Sequence, residues 1–160
     1  MSLEIVRTDP TFDKWGDLLD LILSSFAYMN GVIAPPSSAL SLTPESLAAK
    51  AAAEICFVAS DGDQLLGCIF CRPEAPDCLY IGKLAVLPTA QGQGIGRLLM
   101  QRAEEVARDL LLPALRLETR VELTGNHIRF AKMGFEITAE RSHPGFEQTT
   151  FVEMRKQLSH

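Results

Sequence analysis

Tyr80-Ile-Gly-Lys-Leu-Ala-Val-Leu-Pro88, followed at once by Gln91-Gly92-Gln93-Gly94-Ile95-Gly96-Arg97, is the stretch whose reading decides the fold. The first part is an apolar run of strand length, from about Leu79 to Leu87. The second alternates three glycines with other residues. A helical pattern then follows: Ile95, Leu98, Leu99, Ala103, Val106, Ala107 and Leu110 recur in steps of three and four. Strand, tight turn and helix start therefore lie within about twenty residues, the length of half a βαβ unit. A turn of this kind aims several backbone N–H groups at one point beside the positive end of a helix dipole, where an anion is favoured. The nearest such anion is a phosphate or pyrophosphate.

Working outward, Pro113 stops the helix and Ala114 to Arg120 reads as the next strand. A strand, a crossover helix and a strand make a parallel pair. Glu104 and Arg108 have the spacing of an i,i+4 ion pair. Upstream, Ile55 to Ala59 and Gln64 to Arg72 flank Asp61-Gly62-Asp63, a hairpin signal, and Pro73 to Asp77 reads as a turn. Leu3 to Val6 is a short strand. Asp9-Pro10-Thr11 reads as the start of a helix carrying Phe12, Trp15, Leu18, Leu19, Ile22, Leu23 and Phe26. Residues 28–42 have loop chemistry, and their Tyr28, Met29, Val32 and Ile33 suit either a substrate lip or a lid on the core. Thr43-Pro44-Glu45 opens a second helix to about Ala53. Downstream come a short helix over Asn126 to Met133, Gly134 as its terminator, and strands over Phe135 to Glu140 and Thr150 to Lys156.

The 160 residues fit one domain spanning 1–160, with enough apolar sequence (47%) for a sizeable core. Fifteen basic residues are scattered without a run, and the net charge is −5, which argues against nucleic acid as a partner. No window has the roughly 18 uninterrupted apolar residues of a membrane span. Met1-Ser-Leu-Glu-Ile-Val lacks the features of a signal peptide, so a cytoplasmic protein is expected. Cys68 and Cys71 have CxxC spacing, but in a strand residues three apart face opposite sides, so they read as buried thiols and no metal site is expected.

Three phosphate-binding patterns compete for the glycine turn. The GxxxxGK of a P-loop is absent. A dinucleotide turn needs GxGxxG, whereas this chain has GxGxG. The third pattern is Gln or Arg, then x-x-Gly-x-Gly, after a strand ending Val-x-Pro; Val86-Leu87-Pro88 and Gln91 to Gly96 satisfy it. With Ala131-Lys-Met-Gly134-Phe135 some forty residues on, and with this element order, the chain resembles the GNAT superfamily of acyl-CoA-dependent N-acyltransferases over nearly its whole length. The resemblance implies a mixed α/β fold. Its central sheet would have six or seven strands, an antiparallel N-terminal half and a splayed parallel pair, flanked by about four helices.

It also implies acetyl-CoA as cosubstrate and an amine of a small molecule or peptide as acceptor, with no metal. A non-catalytic acyl-CoA sensor is the alternative, and homodimerisation stays open. Carried over by residue, Gln91, Gly92, Gln93, Gly94, Ile95, Gly96 and Arg97 would cradle the pyrophosphate. Leu84, Ala85 and Val86 would pair with the pantetheine arm, and the Val86 N–H would face the thioester oxygen. Asn126 would either bind the cofactor or cap the short helix. Glu118, near the end of its strand, is the expected general base, with Glu122 and His143 as alternatives. The family's usual tyrosine donor, five residues before the Phe of Gly-Phe, is Phe130 here, which has no proton to give. Tyr80 and Tyr28 are the other tyrosines, and neither occupies the motif position.

Overall fold

A computed structural model describes residues 2–159. Seven strands form one sheet: β1 (Leu3–Arg7), β2 (Ile55–Asp61), β3 (Gln64–Glu74), β4 (Cys78–Val86), β5 (Ala114–Arg120), β6 (Glu136–Arg141) and β7 (Phe151–Gln157), in the order β1-β2-β3-β4-β5-β7-β6. Every pairing is antiparallel except that of β4 with β5. Among the described residues, the four α-helices are α1 (Trp15–Phe26), α2 (Pro44–Ala53), α3 (Ile95–Asp109) and α4 (Thr124–Lys132).

Alternation along the strands divides the core into two layers. Ile69, Cys71, Leu79, Ile81, Leu115 and Leu117 face the α3 stripe of Ile95, Leu99, Met100, Ala103 and Ala107. Cys56, Val58, Cys68, Phe70 and Ala85 face Leu18, Leu21 and Ile22 of α1 and Leu47 of α2. Cys68 and Cys71 thus lie on opposite faces, as a period of two requires. Burial pushes the Cys71 thiol up to about 12, which leaves it an inert apolar side chain. At Gly67 helix α3 lies tight against the sheet: a Cβ there would stand 2.9 Å from the Ala85 carbonyl oxygen and 3.1 Å from Leu99.

Several local expectations are corrected. Helix α1 begins at Trp15 rather than near Thr11, because the Asp9 carboxylate accepts the Thr11 N–H at 2.8 Å and closes a turn of its own. Pro73 lies within β3, not in a turn. Pairing with β2 ends at Cys71, so on that side no strand needs the N–H that proline lacks, while β4 still pairs Leu79 with Pro73. Helix α4 begins at Thr124 with Leu123 ahead of it, and no side chain caps it. Glu104 pairs with Lys156 of β7 at 2.5 Å, not with Arg108. In the 28–42 segment, Ala27–Met29 and Ser38–Ser41 are single tight helical turns. Met29 and Ile33 pack on Leu123, whereas Tyr28 and Val32 are exposed.

Candidate active site at the β4–β5 fork

The parallel pair is short. Only Leu79↔Leu115, Tyr80↔Arg116 and Ile81↔Leu117 are in register, and beyond them the strands diverge. The cause is visible in β3–β4: register shifts between Phe70 and Cys71, so that Gly82 is a bulge with no partner. A bulge bends its strand and raises the local twist. It also reverses the alternation. Tyr80 is opposite Arg72 and Lys83 is opposite Phe70, so both point to the α1/α2 face although three residues separate them.

A cavity of about 250 Å³ occupies the fork. Gly82, Lys83 and Leu84 form one arm, and Glu118, Thr119 and Arg120 the other. Asn126 and Phe130 of α4 and His143 close its ends. Thr119 is 7% exposed, and its hydroxyl is a buried side-chain oxygen without any hydrogen-bond partner among the described residues. Leaving such a group unsatisfied costs about 1–3 kcal/mol, which a polar atom entering the fork would recover.

The glycine turn lies beyond the end of β4. Gly92 and Gly94 have φ of +83° and +81°, conformations that L side chains rarely adopt, and the space where a Cβ would stand is open at both. Gly94 precedes α3 without a side-chain cap. The Leu98 N–H is the first to reach a carbonyl, that of Gly94 at 3.0 Å. The amides from Gly92 to Arg97 have no backbone acceptor among the described residues, a cradle of donors at the positive end of a fifteen-residue helix. The Gln91 side chain folds back to donate to the Val86 carbonyl at 3.3 Å. The Arg97 side chain is exposed on the first turn.

The expected catalytic residues separate into those at the fork and those elsewhere. Glu118 is at the fork. It accepts from Arg116 at 2.9 Å, and the Tyr80 hydroxyl donates to it at 3.4 Å. Arg116 in turn holds Glu74 through two bonds of 2.9 and 3.1 Å and lies 4.3 Å from the centre of the Tyr80 ring. Burial, and then the Glu118 charge, push the Tyr80 hydroxyl up to about 12, so it stays protonated at neutral pH.

Glu122 does not line the cavity; it accepts the Ala34 N–H at 3.2 Å and so ties down the 28–42 loop. His143 does line it. Its Nδ1 meets the Thr150 hydroxyl at 2.5 Å, and burial followed by the Arg120 charge lowers its pKa, which keeps the ring neutral near pH 7. Asn126 is inside α4 rather than at its cap. Its side chain donates to the Tyr28 hydroxyl at 3.2 Å and accepts from Arg129. Phe130 lies edge-on to Phe135, with ring centres 5.9 Å apart. The Val86 N–H donates to the hydroxyl of Ser25, a buried residue in the last turn of α1.

Sequence reasoning passed over Ser25, Thr119, Lys83 and Arg120. Ser25 carried a signal, as a polar residue on the apolar stripe of α1; the other three become significant only once the fork is known.

Among the described residues, no helix is long and apolar enough to cross a membrane, and no group of three metal-ligating side chains is present. No curated protein matches the sequence. Solved structures do match in fold. A GNAT family acetyltransferase from Elizabethkingia anophelis, with acetyl-CoA bound, is 20% identical over 98% of each chain with a TM-score of 0.70. The PaiA N-acetyltransferase from Thermoplasma acidophilum, in complex with coenzyme A, is 18% identical over 99% of this chain and all of that one, with a TM-score of 0.81. The ribosomal-protein-S18-alanine N-acetyltransferase from Escherichia coli is 16% identical over 99% of this chain and 96% of its own, with a TM-score of 0.75. The family model described as acetyltransferase (GNAT) family matches residues 17–135, from the first helix through Gly134-Phe135, and the chain therefore belongs to that family.

Proposed function

We propose that the protein transfers the acetyl group of acetyl-CoA to a primary amine of a small molecule or peptide. The observation that carries this reading is the pairing of a forked parallel sheet with a turn of free amides beyond it. Gly92 through Arg97 would hold the pyrophosphate on backbone N–H groups, with the Arg97 charge added. Leu84, Ala85 and Val86 would offer the backbone of β4, which has lost its β5 neighbour by that point, to the pantetheine amides as a further strand would be offered. The unpartnered Thr119 hydroxyl fits a polar cosubstrate in the fork.

The thioester supplies an activated acyl carbon. The amine nitrogen attacks it, the C–S bond breaks, and the thiolate leaves and takes up a proton. The attacking nitrogen loses its proton to Glu118, directly or through a water. Tyr80, protonated and beside Glu118, orients that carboxylate. The Val86 N–H, which donates to the Ser25 hydroxyl in the structure, would exchange that bond for one to the oxyanion as charge builds on the carbonyl oxygen.

Phe130 favours a second reading, a non-catalytic acyl-CoA sensor, because α4 carries no proton donor at that position. Thiol release from acetyl-CoA in the presence of an amine panel separates the two. Transfer predicts CoA release that depends on the amine. The sensor predicts a raised melting temperature with acetyl-CoA, and not with ATP or NAD, but no release with any amine.

A further inference from the structure

We propose that the acceptor is a small amine that also bears an anionic group, a carboxylate or a phosphate, and that Lys83, with Arg120 on the opposite arm, receives that group in the fork. This inference rests on the transferase reading and specifies its substrate class. Its first support is the face on which the charges lie. The Gly82 bulge puts Lys83 on the α1/α2 side with Tyr80, and the alternation of β5 puts Arg116, Glu118 and Arg120 there, opposite Leu115, Leu117 and Thr119.

The second support is how those charges are paired. The Glu118 carboxylate pairs with Arg116 at 2.9 Å, a guanidinium it shares with Glu74 and, at 3.5 Å, Glu153. Lys83 is half-buried and forms no ion pair among the described residues. The nearby carboxylate, Glu54, is taken by Lys50 at 2.7 Å, so two ammonium groups share one acid. Arg120 donates to the Pro35 carbonyl and, at 3.2 Å, to that of Pro36, and among the described residues it forms no ion pair, although the Glu122 charge acts on it. Among the residues lining the cavity, Lys83 and Arg120 thus stand against the single carboxylate of Glu118, in a place where water is partly excluded. Burial, and then Lys50, lower the Lys83 pKa, the sign of an ammonium lacking its counter-ion. An anion on the acceptor would supply it.

The third support is arrangement. The amine must reach Glu118 and Tyr80 at the crotch of the fork, while Lys83 and Arg120 lie one step further out on either arm. An acceptor with its amine and anion a few bonds apart, such as an α-amino acid, spans that interval, and a cavity of about 250 Å³ limits it to a small molecule.

The test uses matched pairs: L-amino acids against their carboxamides, and phosphoethanolamine against ethanolamine, each with acetyl-CoA and thiol release as readout. The expected result is kcat/KM about tenfold or more higher for the charged member, the effect of one charge-assisted hydrogen bond. The two sets tell carboxylate from phosphate. Lys83→Met should bring the charged-to-uncharged ratio towards one, mainly through KM, and Lys83→Arg should restore part of it. With CoA held saturating, the thermal shift given by the charged amine should also shrink in Lys83→Met. Equal or better use of the uncharged members overturns the inference, as does a Lys83→Met that lowers both members of a pair by the same factor. Acetyl-CoA binding without thiol release from any amine overturns the transferase reading itself, and this inference with it.

Discussion

The Tyr80 hydroxyl reaches diagonally from β4 to Glu118 of β5 at 3.4 Å, with the Arg116 guanidinium against both the ring and the carboxylate. A tyrosine from β4 and an acid from β5 thus meet where the strands part. The tyrosine is the donor in this pair, because burial and the adjacent acid hold its proton. Glu118 is left as the group that accepts.

Glu118→Gln should keep the fold and the affinity for CoA, while kcat with any accepted amine falls by about 100-fold or more, the usual share of a positioned base. Tyr80→Phe should cost less, since it removes an orienting bond only. Steady-state thiol release beside calorimetric CoA binding checks both. A Glu118→Gln variant with unaltered kcat would move the base to His143.

Gly94→Asp and Gly96→Glu should each abolish CoA binding in a folded protein. At Gly94 the left-handed backbone adds strain of about 1–2 kcal/mol, and the carboxylate occupies the anion's place. At Gly96 the space beside Val86 admits a side chain, so the loss there is one of charge and approach alone. Calorimetry with CoA, beside a circular dichroism melt, separates binding from folding; wild-type affinity in both variants would remove the turn from the site.

Gly67→Val should destabilise the protein by about 1–3 kcal/mol, because the new side chain meets the Ala85 carbonyl and α3 at once. Urea denaturation reads this as a lower midpoint with an unchanged slope. A neutral result would mean that α3 can back away from the sheet.

Stability should fall with acid through Glu74. The Arg116 hydrogen bonds outweigh burial and hold its carboxyl below the usual value. A carboxyl whose pKa is lowered by folding contributes stability fully above its unfolded value, and the contribution fades as pH drops through the folded one. Melting temperatures taken from about pH 6 down to about pH 3 should decline, and Glu74→Gln should flatten that decline. An unchanged slope in the variant would place the acid sensitivity elsewhere.

Local patterns with a fixed period were legible in the chain. The α3 stripe, the opposed faces of Cys68 and Cys71 and the parallel pair all followed from spacing. Errors collected where a side chain chose between equivalent partners. Asp9 closed a turn instead of opening a helix, Glu104 went to a distant lysine, and Asn126 met Tyr28 instead of capping α4. The first choice was between two local structures open to the same residue; the other two were settled by what the fold brought near, which sequence separation does not encode.

The sequence by itself determined the element order, the α3 stripe, the opposed faces of Cys68 and Cys71 and the anion-binding glycine turn, because 3.6- and two-residue periods and glycine backbone freedom are local properties. Only the tertiary structure decided where β4 and β5 separate and which side chains then share the gap. The reason is the bulge at Gly82: one unpaired residue bends the strand and reverses its alternation, turning Lys83 to the face of Tyr80 and Glu118. No pattern in the chain announces that reversal, and the chemistry of the fork depends on it.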